Sequence, residues 1–113
     1  MLSKQDIDRI TAQLCEQLAK LFPESRIEAL LFGSYARGDM ESGSDVDLLV
    51  LVDSSREDIT EKSWQIGNIA GDLSLDCGTM IMPIVENKDY YSSHIDLLPF
   101  FQNVNREGVR INA

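Results

Sequence analysis

The sequence predicts one α/β domain in which a small mixed β-sheet packs against helices. Two patterns support this fold class: apolar residues recur at helical spacing in several segments, and short, almost continuous apolar runs lie between those segments. The predicted order is helix, strand, strand, helix, strand, helix. A chain of 113 residues buries about two-thirds of its unfolded surface, so we expect a single domain over residues 1–113 that needs no disulfides to fold.

An amphipathic helix over about residues 4 to 22 is the first predicted element. Ser3 is a suitable N-cap and Pro23 ends the helix. Its apolar stripe consists of Ile7, Ile10, Leu14, Leu18 and Leu21. A strand over Arg26 to Phe32 follows.

A polar loop and a second strand continue the chain. A short helix over Tyr35 to Met40 is expected directly after the first strand. The second strand, Val46 to Val52, is apolar on both faces, so we expect it to be central in the sheet and covered on both sides. Asp53-Ser54-Ser55 ends this strand and caps the next helix.

The sequence of the C-terminal half predicts two more helices and one edge strand. A helical stripe runs from Arg56 to about Leu75, interrupted by Trp64 and Gly67. Thr79 to Val85 is a strand whose Pro83 favours an edge position. A polar connection over Glu86 to Ser93 contains a short helix. The last helix starts near Pro99, carries an apolar patch and ends at Gly108 before a short tail.

The loop after the first strand has the composition of a phosphate-binding turn. Gly33 lets backbone N–H groups approach an anion, and the hydroxyl of Ser34 can donate to a phosphate oxygen. Gly33 and Gly38 fit the glycines of a P-loop, but Asp39 and Met40 occupy the positions where that loop needs Lys and Ser or Thr. A P-loop is therefore excluded. An ordinary surface turn between two strands is the alternative.

Two carboxylates at the start of the second strand are typical of a metal site. Asp45 and Asp47 are two residues apart, so their side chains leave the same face of a strand about 7 Å apart. Oxygen ligands of this kind suit Mg²⁺, which substrate phosphates and water complete. Five acidic residues without a lysine lie within fifteen positions, which favours a cation at this site: Asp39, Glu41, Asp45, Asp47 and Asp53.

Gly33-Ser34, ten residues and then Asp45-x-Asp47 together resemble the signature of the DNA polymerase β-like nucleotidyltransferases, most of all the minimal nucleotidyltransferase (MNT) branch. The resemblance implies a nucleotidyltransferase fold, two Mg²⁺ ions held by Asp45 and Asp47, and ATP as the substrate bound by Gly33 and Ser34. It implies transfer of AMP to a hydroxyl, with release of pyrophosphate. MNT proteins are often antitoxins of HEPN-type RNase toxins, and some adenylylate a tyrosine of the toxin, so the resemblance implies such a partner.

The sequence does not decide the roles of two residues, Asp76 and Arg37. The family generally carries a third carboxylate on the strand after the long helix, but Thr79 to Val85 contains no acidic residue. Asp76 either reaches the site as a catalytic or metal-binding group or is a charge at a helix end. Arg37 either contacts the triphosphate or pairs with Asp39 or Glu41.

A site without its third carboxylate would favour an MNT fold that neutralises its toxin by binding alone. Transfer to a small molecule is a weaker alternative, because such enzymes usually carry a second domain.

Composition limits the other function classes. Ten basic and nineteen acidic residues give a net charge of −9, which argues against direct binding to a nucleic acid backbone. Cys15 and Cys77 are not in a metal-binding spacing and are interpreted as reduced packing residues. His94 is the only histidine and is not expected to be catalytic. The chain shows neither a leader pattern nor an apolar run of membrane-spanning length, so a cytoplasmic protein without membrane contact is expected.

Overall fold

The computed structural model describes residues 2–111. Its helices and strands are, in chain order, α1 (Lys4–Leu21), β1 (Ile27–Phe32), α2 (Ser34–Arg37), β2 (Val46–Val52), α3 (Arg56–Glu61), α4 (Ser63–Cys77), β3 (Ile81–Asn87), α5 (Lys88–His94), α6 (Pro99–Glu107) and β4 (Val109–Ile111). The predicted α/β class with a small mixed sheet is confirmed. None of the helices in this described part is both long and apolar enough to cross a bilayer.

The four strands form one mixed sheet in the order β3-β2-β1-β4. β2 pairs in parallel with β3, whereas β1 is antiparallel to both β2 and β4. The central place of β2 was predicted from its apolar character on both faces. Its residues from Leu48 to Val52 are at most 4% exposed, which confirms the prediction.

Helices cover the two faces of the sheet. On one face Val46, Leu48, Val50 and Val52 pack into a core that includes the buried stripe of α1 and Ile66 of α4. On the other face Leu49 and Leu51 pack against Tyr91, Phe101 and Val104 from α5 and α6. Since side chains alternate along a strand, Asp47 points to the same face as Leu49. The sheet therefore presents this carboxylate on the side of α6.

The predicted start of α1 is confirmed in detail. Ser3 Oγ accepts a hydrogen bond from the Asp6 amide at 3.1 Å, and Asp6 Oδ2 accepts one from the Ser3 amide at 2.9 Å. This capping box satisfies two amides that have no partner inside the helix. It fixes where the first helix begins.

The prediction of a single helix from Arg56 to Leu75 is wrong in one respect. The structure has two helices there, and they meet at Lys62. Lys62 Nζ donates to the carbonyl oxygen of Leu21 at 2.6 Å and pairs with Asp58 at 3.2 Å. These contacts tie residue 62 to the end of α1, and the backbone there, with φ of −98° and ψ of 7°, departs from helical geometry between α3 and α4. The apolar stripe continues across the turn and does not reveal it.

Two further differences concern the sheet edges. The predicted tail after Gly108 is a strand, and it pairs with β1 through Ala29 opposite Ile111. Three residues are too few for an alternating pattern to show in the sequence. β3 is an edge strand as predicted, but it extends to Asn87, so Glu86 is a buried strand residue instead of part of a polar connection. Arg56 Nε pairs with Glu86 at 3.1 Å.

Candidate functional site

The site begins where β1 delivers the chain to Gly33. This glycine has φ of +75°, and a β-carbon added to it would overlap Oδ2 of Asp47 on the neighbouring strand. The carboxylate of Asp47 thus lies directly against the backbone of residue 33. Only glycine permits both the backbone conformation and this approach.

A tight turn follows and orients Ser34. The Gly33 carbonyl accepts hydrogen bonds from the amides of Ala36 and Arg37, each at 3.1 Å. Gly38 closes the turn with φ of +82°, and its amide donates to the Ser34 carbonyl at 2.9 Å. These bonds fix the backbone of Ser34, which lines the same cavity as Gly33. The observed helix, Ser34–Arg37, is shorter than the predicted one, which ran to Met40.

The two predicted aspartates differ in environment. Asp45 is exposed and precedes β2, whereas Asp47 is half-buried within it. Burial raises the pKa of the Asp47 carboxyl above its usual range, the neighbouring charge of Asp45 raises it further, and Arg37 opposes both effects. The strand begins at Val46, so Asp45 lies one residue before it and the sheet register fixes the side of Asp47 alone.

A cavity of about 400 Å³ has Asp47, but not Asp45, in its lining. One wall consists of Phe32, Gly33, Ser34, Arg37 and Asp47 from the β1–α2 turn and β2. The other wall comes from α6 and consists of Phe100, Asn103, Val104 and Glu107. The cavity is open to solvent and combines two carboxylates, a hydroxyl, a guanidinium and an amide side chain on an apolar base.

Arg37 forms an ion pair with Asp39, which is one of the two alternatives that the sequence predicts for it. Its Nε donates to Asp39 Oδ2 at 3.1 Å, and its NH1 lies 3.6 Å from Glu107 Oε2. Arg37 also lines the cavity. The guanidinium is thus held at the cavity wall by two carboxylates.

Asp76 lies in the last turn of α4 and is exposed. Residues 2–111 contain no group of three or more His, Cys, Asp or Glu side chains that are placed to hold a metal ion. The structure thus does not bring Asp76 together with Asp45 and Asp47, and its position is that of a charge at a helix end.

The neighbouring strand places a methionine beside the aspartate pair. In the parallel register of β2 and β3, Met82 is the partner of Asp47. Residues paired in this way lie on the same face of a sheet. The strand position that could supply a third carboxylate to Asp47 therefore carries a thioether, which is a soft and weak ligand for Mg²⁺.

Asp53 is not part of the acidic cluster to which the sequence assigned it. It follows the opposite end of β2, and its Oδ2 accepts a hydrogen bond from the Arg26 amide at 2.9 Å. Seven residues of strand separate the two ends, which is about 20 Å. Asp53 closes the connection before β1 and does not contribute to the cavity.

The donor set of this site fits a divalent cation that arrives with its substrate. Mg²⁺ commonly takes one or two carboxylates from a protein and completes its shell with phosphate oxygens and water. Asp47 supplies one carboxylate in the cavity that Ser34 also lines, and the exposed Asp45, two residues earlier, supplies a second one outside that lining. This set fits a cation shared with a triphosphate better than a cage formed by the chain alone.

The α6 wall was not assigned to the site from the sequence. Phe100, Asn103, Val104 and Glu107 have spacings of three and four, so the sequence does indicate that they share one helical face. The pattern does not reveal that this face lies against Gly33 and Asp47. The T-shaped contact of Phe100 with Phe32, with ring centroids 5.4 Å apart, fixes that placement.

Comparisons with known proteins agree with the fold. The nucleotidyltransferase domain family matches residues 12–104. Putative protein adenylyltransferase MJ0141 of Methanocaldococcus jannaschii is 37% identical over 92 residues, which cover 80% of this chain and 90% of that protein. Putative protein adenylyltransferase MJ0604 of the same organism is 34% identical over 79 residues, which cover 70% of this chain and 71% of that protein. The chain therefore belongs to the nucleotidyltransferase domain family, as a domain of the minimal type.

Proposed function

We propose that this nucleotidyltransferase transfers AMP from Mg-ATP to a hydroxyl of a partner protein and thereby acts as the antitoxin of a HEPN-type RNase toxin. The observation that carries the proposal is the contact of the Asp47 carboxylate with Gly33, in a cavity that also contains the Ser34 hydroxyl. The names of the two relatives support a protein as the acceptor.

The predicted site residues have distinct tasks in this proposal. The Ser34 hydroxyl and the backbone at Gly33 bind the β- and γ-phosphates, which leave as pyrophosphate. Asp45 and Asp47 hold the divalent cation and orient the α-phosphate. When bound, the cation neutralises charge that develops on the phosphate oxygens during transfer. Arg37 at the cavity wall adds positive charge near the leaving phosphates.

The reaction forms one bond and breaks one bond. The acceptor hydroxyl oxygen attacks the α-phosphorus in line with the bridging oxygen of the β-phosphate. The new O–P bond carries AMP on the acceptor, the old P–O bond breaks, and its electron pair leaves with pyrophosphate. The hydroxyl proton passes to solvent or to a nearby carboxylate.

Charge favours a basic protein as the acceptor. Asp39, Glu41 and Asp45 are exposed around the site, and the net charge of the chain is −9. An RNase must present positive charge where it holds phosphates, so its active-site surface is attracted to this acidic rim. The attraction brings hydroxyls of that surface close to the bound nucleotide.

A second candidate function is neutralisation of the toxin by binding, with little or no transfer. The register of Met82 beside Asp47 favours it, because no third carboxylate is available there to deprotonate the acceptor. Both candidates use the same acidic surface. They differ in whether the toxin is covalently changed.

Intact-mass measurement of the toxin separates the two candidates. A HEPN-type toxin from the same genome is co-expressed with the chain, purified, incubated with Mg-ATP and then separated from it. The expected product is heavier by one or more AMP groups and stays inactive as an RNase. The Asp45→Asn/Asp47→Asn double variant serves as the matched control and leaves the mass unchanged.

Silencing of the toxin at unchanged mass, equally well by the chain and by the double variant, would contradict transfer to this partner. The second candidate would then describe the function.

A further inference from the structure

An apolar groove runs between α4 and the outer edge of β3, away from the nucleotide cavity. Its central part encloses about 550 Å³ and is lined mainly by apolar side chains, including Ile59, Ile66, Ala70, Ile81 and Val85. At each end it continues into a further cavity, of about 570 Å³ near Glu57 and of about 510 Å³ near Asp72. The three spaces share lining residues and so form one continuous groove.

Large apolar side chains beside this groove are left in solvent. Trp64 is 79% exposed, Leu75 is 84% exposed and Met80 is 54% exposed. On α4, Trp64 and Leu75 lie on one stripe, with Gly67 and Gly71 between them. Exposed apolar residues that cluster beside a concave surface are typical of a binding site for another protein.

Within residues 2–111 the two helical glycines are not required by close packing. A β-carbon added at Gly67 or at Gly71 would meet no atom within 4 Å. Glycine in a helix interior lowers the stability of the fold relative to alanine. The packing of the domain by itself therefore gives no reason for glycine at these two positions. Because neither glycine has a side chain, a notch lies between Trp64 and Leu75, and the backbone of another protein can enter it.

The outer edge of β3 is protected against pairing with another strand. Pro83 has no N–H to donate. The Ile81 amide already donates to Ser74 Oγ at 2.9 Å. An edge with these two features does not accept a strand readily, so a helix fits the groove better than an added strand.

Acidic residues border both ends of the groove. Glu57 and Glu61 line one end, Asp72 lines the other, and none of the three takes part in an ion pair within residues 2–111. Arg56, the basic residue at the first end, is paired with Glu86 and stacked on Tyr90. A second copy of this chain would bring acidic ends against acidic ends.

We propose that this groove binds an amphipathic helix of another protein, with an apolar face between two basic ends. The apolar face covers the centre of the groove and packs into the notch at Gly67 and Gly71. The basic ends pair with Glu57 and Glu61 on one side and with Asp72 on the other. This docking does not depend on the proposed nucleotidyl transfer.

Synthetic helical peptides test the proposal without nucleotide. A 15-residue amphipathic Leu/Lys peptide is titrated against the full chain, next to a scrambled peptide of the same composition and an amphipathic Leu/Glu peptide. Trp64 is the only tryptophan, so its fluorescence reports directly on the groove. The expected result is a saturable blue shift with one Leu/Lys peptide per chain, and at least tenfold weaker binding of both controls.

Substitutions in the notch provide the second arm. Gly71→Leu fills the notch and is expected to weaken peptide binding at least tenfold, and Gly67→Ala at least threefold, while neither lowers the melting temperature. Ala19→Leu, on the exposed side of α1, is the matched control and leaves binding unchanged. Equal binding of the scrambled peptide, or unchanged binding by both glycine variants, would overturn the proposal. Dimerisation of the chain that Gly71→Leu abolishes would also overturn it, since a second copy would then occupy the groove.

Discussion

Gly33 and Asp47 meet at the ends of two antiparallel strands, so closely that a β-carbon on residue 33 would overlap Asp47 Oδ2. The glycine therefore determines where the Asp47 carboxylate can lie. Because the same glycine opens the turn that carries Ser34, one residue connects the proposed metal-binding side of the site to its proposed phosphate-binding side.

Gly33→Ala is expected to damage both stability and nucleotide binding. The backbone at residue 33, with φ of +75° and ψ of −157°, costs a non-glycine residue about 1–3 kcal/mol, and the displaced Asp47 carboxylate adds to this cost. Gly43→Ala is the matched control, since Gly43 also has positive φ but a β-carbon there meets no atom within 4 Å. Denaturant unfolding and Mg-ATP titration should show a larger loss for Gly33→Ala in both. Equal losses for the two variants would mean that the contact with Asp47 has no functional weight.

Asp47→Asn is expected to change the pH dependence of stability. The pKa of Asp47 is raised in the folded chain above the ordinary value of 3.8, so the folded state holds this proton more tightly than the unfolded state. Ionisation of Asp47 therefore costs stability as the pH rises through the raised pKa. At neutral pH the variant should melt at the same or a slightly higher temperature, by at most about 1 kcal/mol in the free energy of unfolding.

The advantage of the Asn variant should disappear on acidification towards 3.8, because Asp47 is then protonated in the wild-type chain as well. Melting curves of both proteins across this range, without metal, provide the measurement. A variant that melts several degrees lower at neutral pH would show that the Asp45/Asp47 pair stabilises the fold and is not a metal site.

Ser34→Ala is expected to weaken triphosphate binding by about 1–2 kcal/mol, the usual value of a hydrogen bond to a charged group. The aspartates remain, so the requirement for Mg²⁺ should persist. Ser42→Ala, in the exposed part of the same loop, is the control. If calorimetry gives the same triphosphate affinity for the two variants, the segment at Ser34 is an ordinary turn and does not bind phosphate.

Asp76→Ala is expected to retain nucleotidyl transfer to within about twofold, since Asp76 is an exposed residue at the end of α4. A lost general base would instead reduce the rate by about a hundredfold to ten-thousandfold. Initial rates of pyrophosphate release in the presence of the acceptor distinguish the two results. A loss of that size would place Asp76 in the catalytic machinery, through a movement of the end of α4.

The sequence predicts the core of this fold because its main signals are local. The helical stripe of α1, the capping residue Ser3 and the uninterrupted apolar run of β2 each depend on neighbouring residues alone. Gly33-Ser34 and Asp45-x-Asp47 are likewise short patterns, and the strands that carry them are neighbours in sequence and in the sheet. The structure confirms their placement at the ends of β1 and β2.

Non-local contacts explain what the sequence does not predict. The turn at Lys62 depends on a carbonyl oxygen of α1, and the strand at Val109 depends on the free edge of β1. The α6 wall of the cavity depends on the packing of Phe100 on Phe32. The position of Met82 beside Asp47 requires the register of two parallel strands, which residue order alone does not determine.

Calorimetric titration with ATP, with and without Mg²⁺, is the most direct measurement of the central claim that Asp45 and Asp47 hold a metal-bound triphosphate beside Gly33 and Ser34. The wild-type chain should bind ATP saturably with one site in the presence of Mg²⁺ and at least tenfold more weakly without it. The Asp45→Asn/Asp47→Asn variant should lose this dependence on Mg²⁺ while keeping its melting temperature. Equal, Mg²⁺-dependent binding of ATP by the folded double variant would contradict the account.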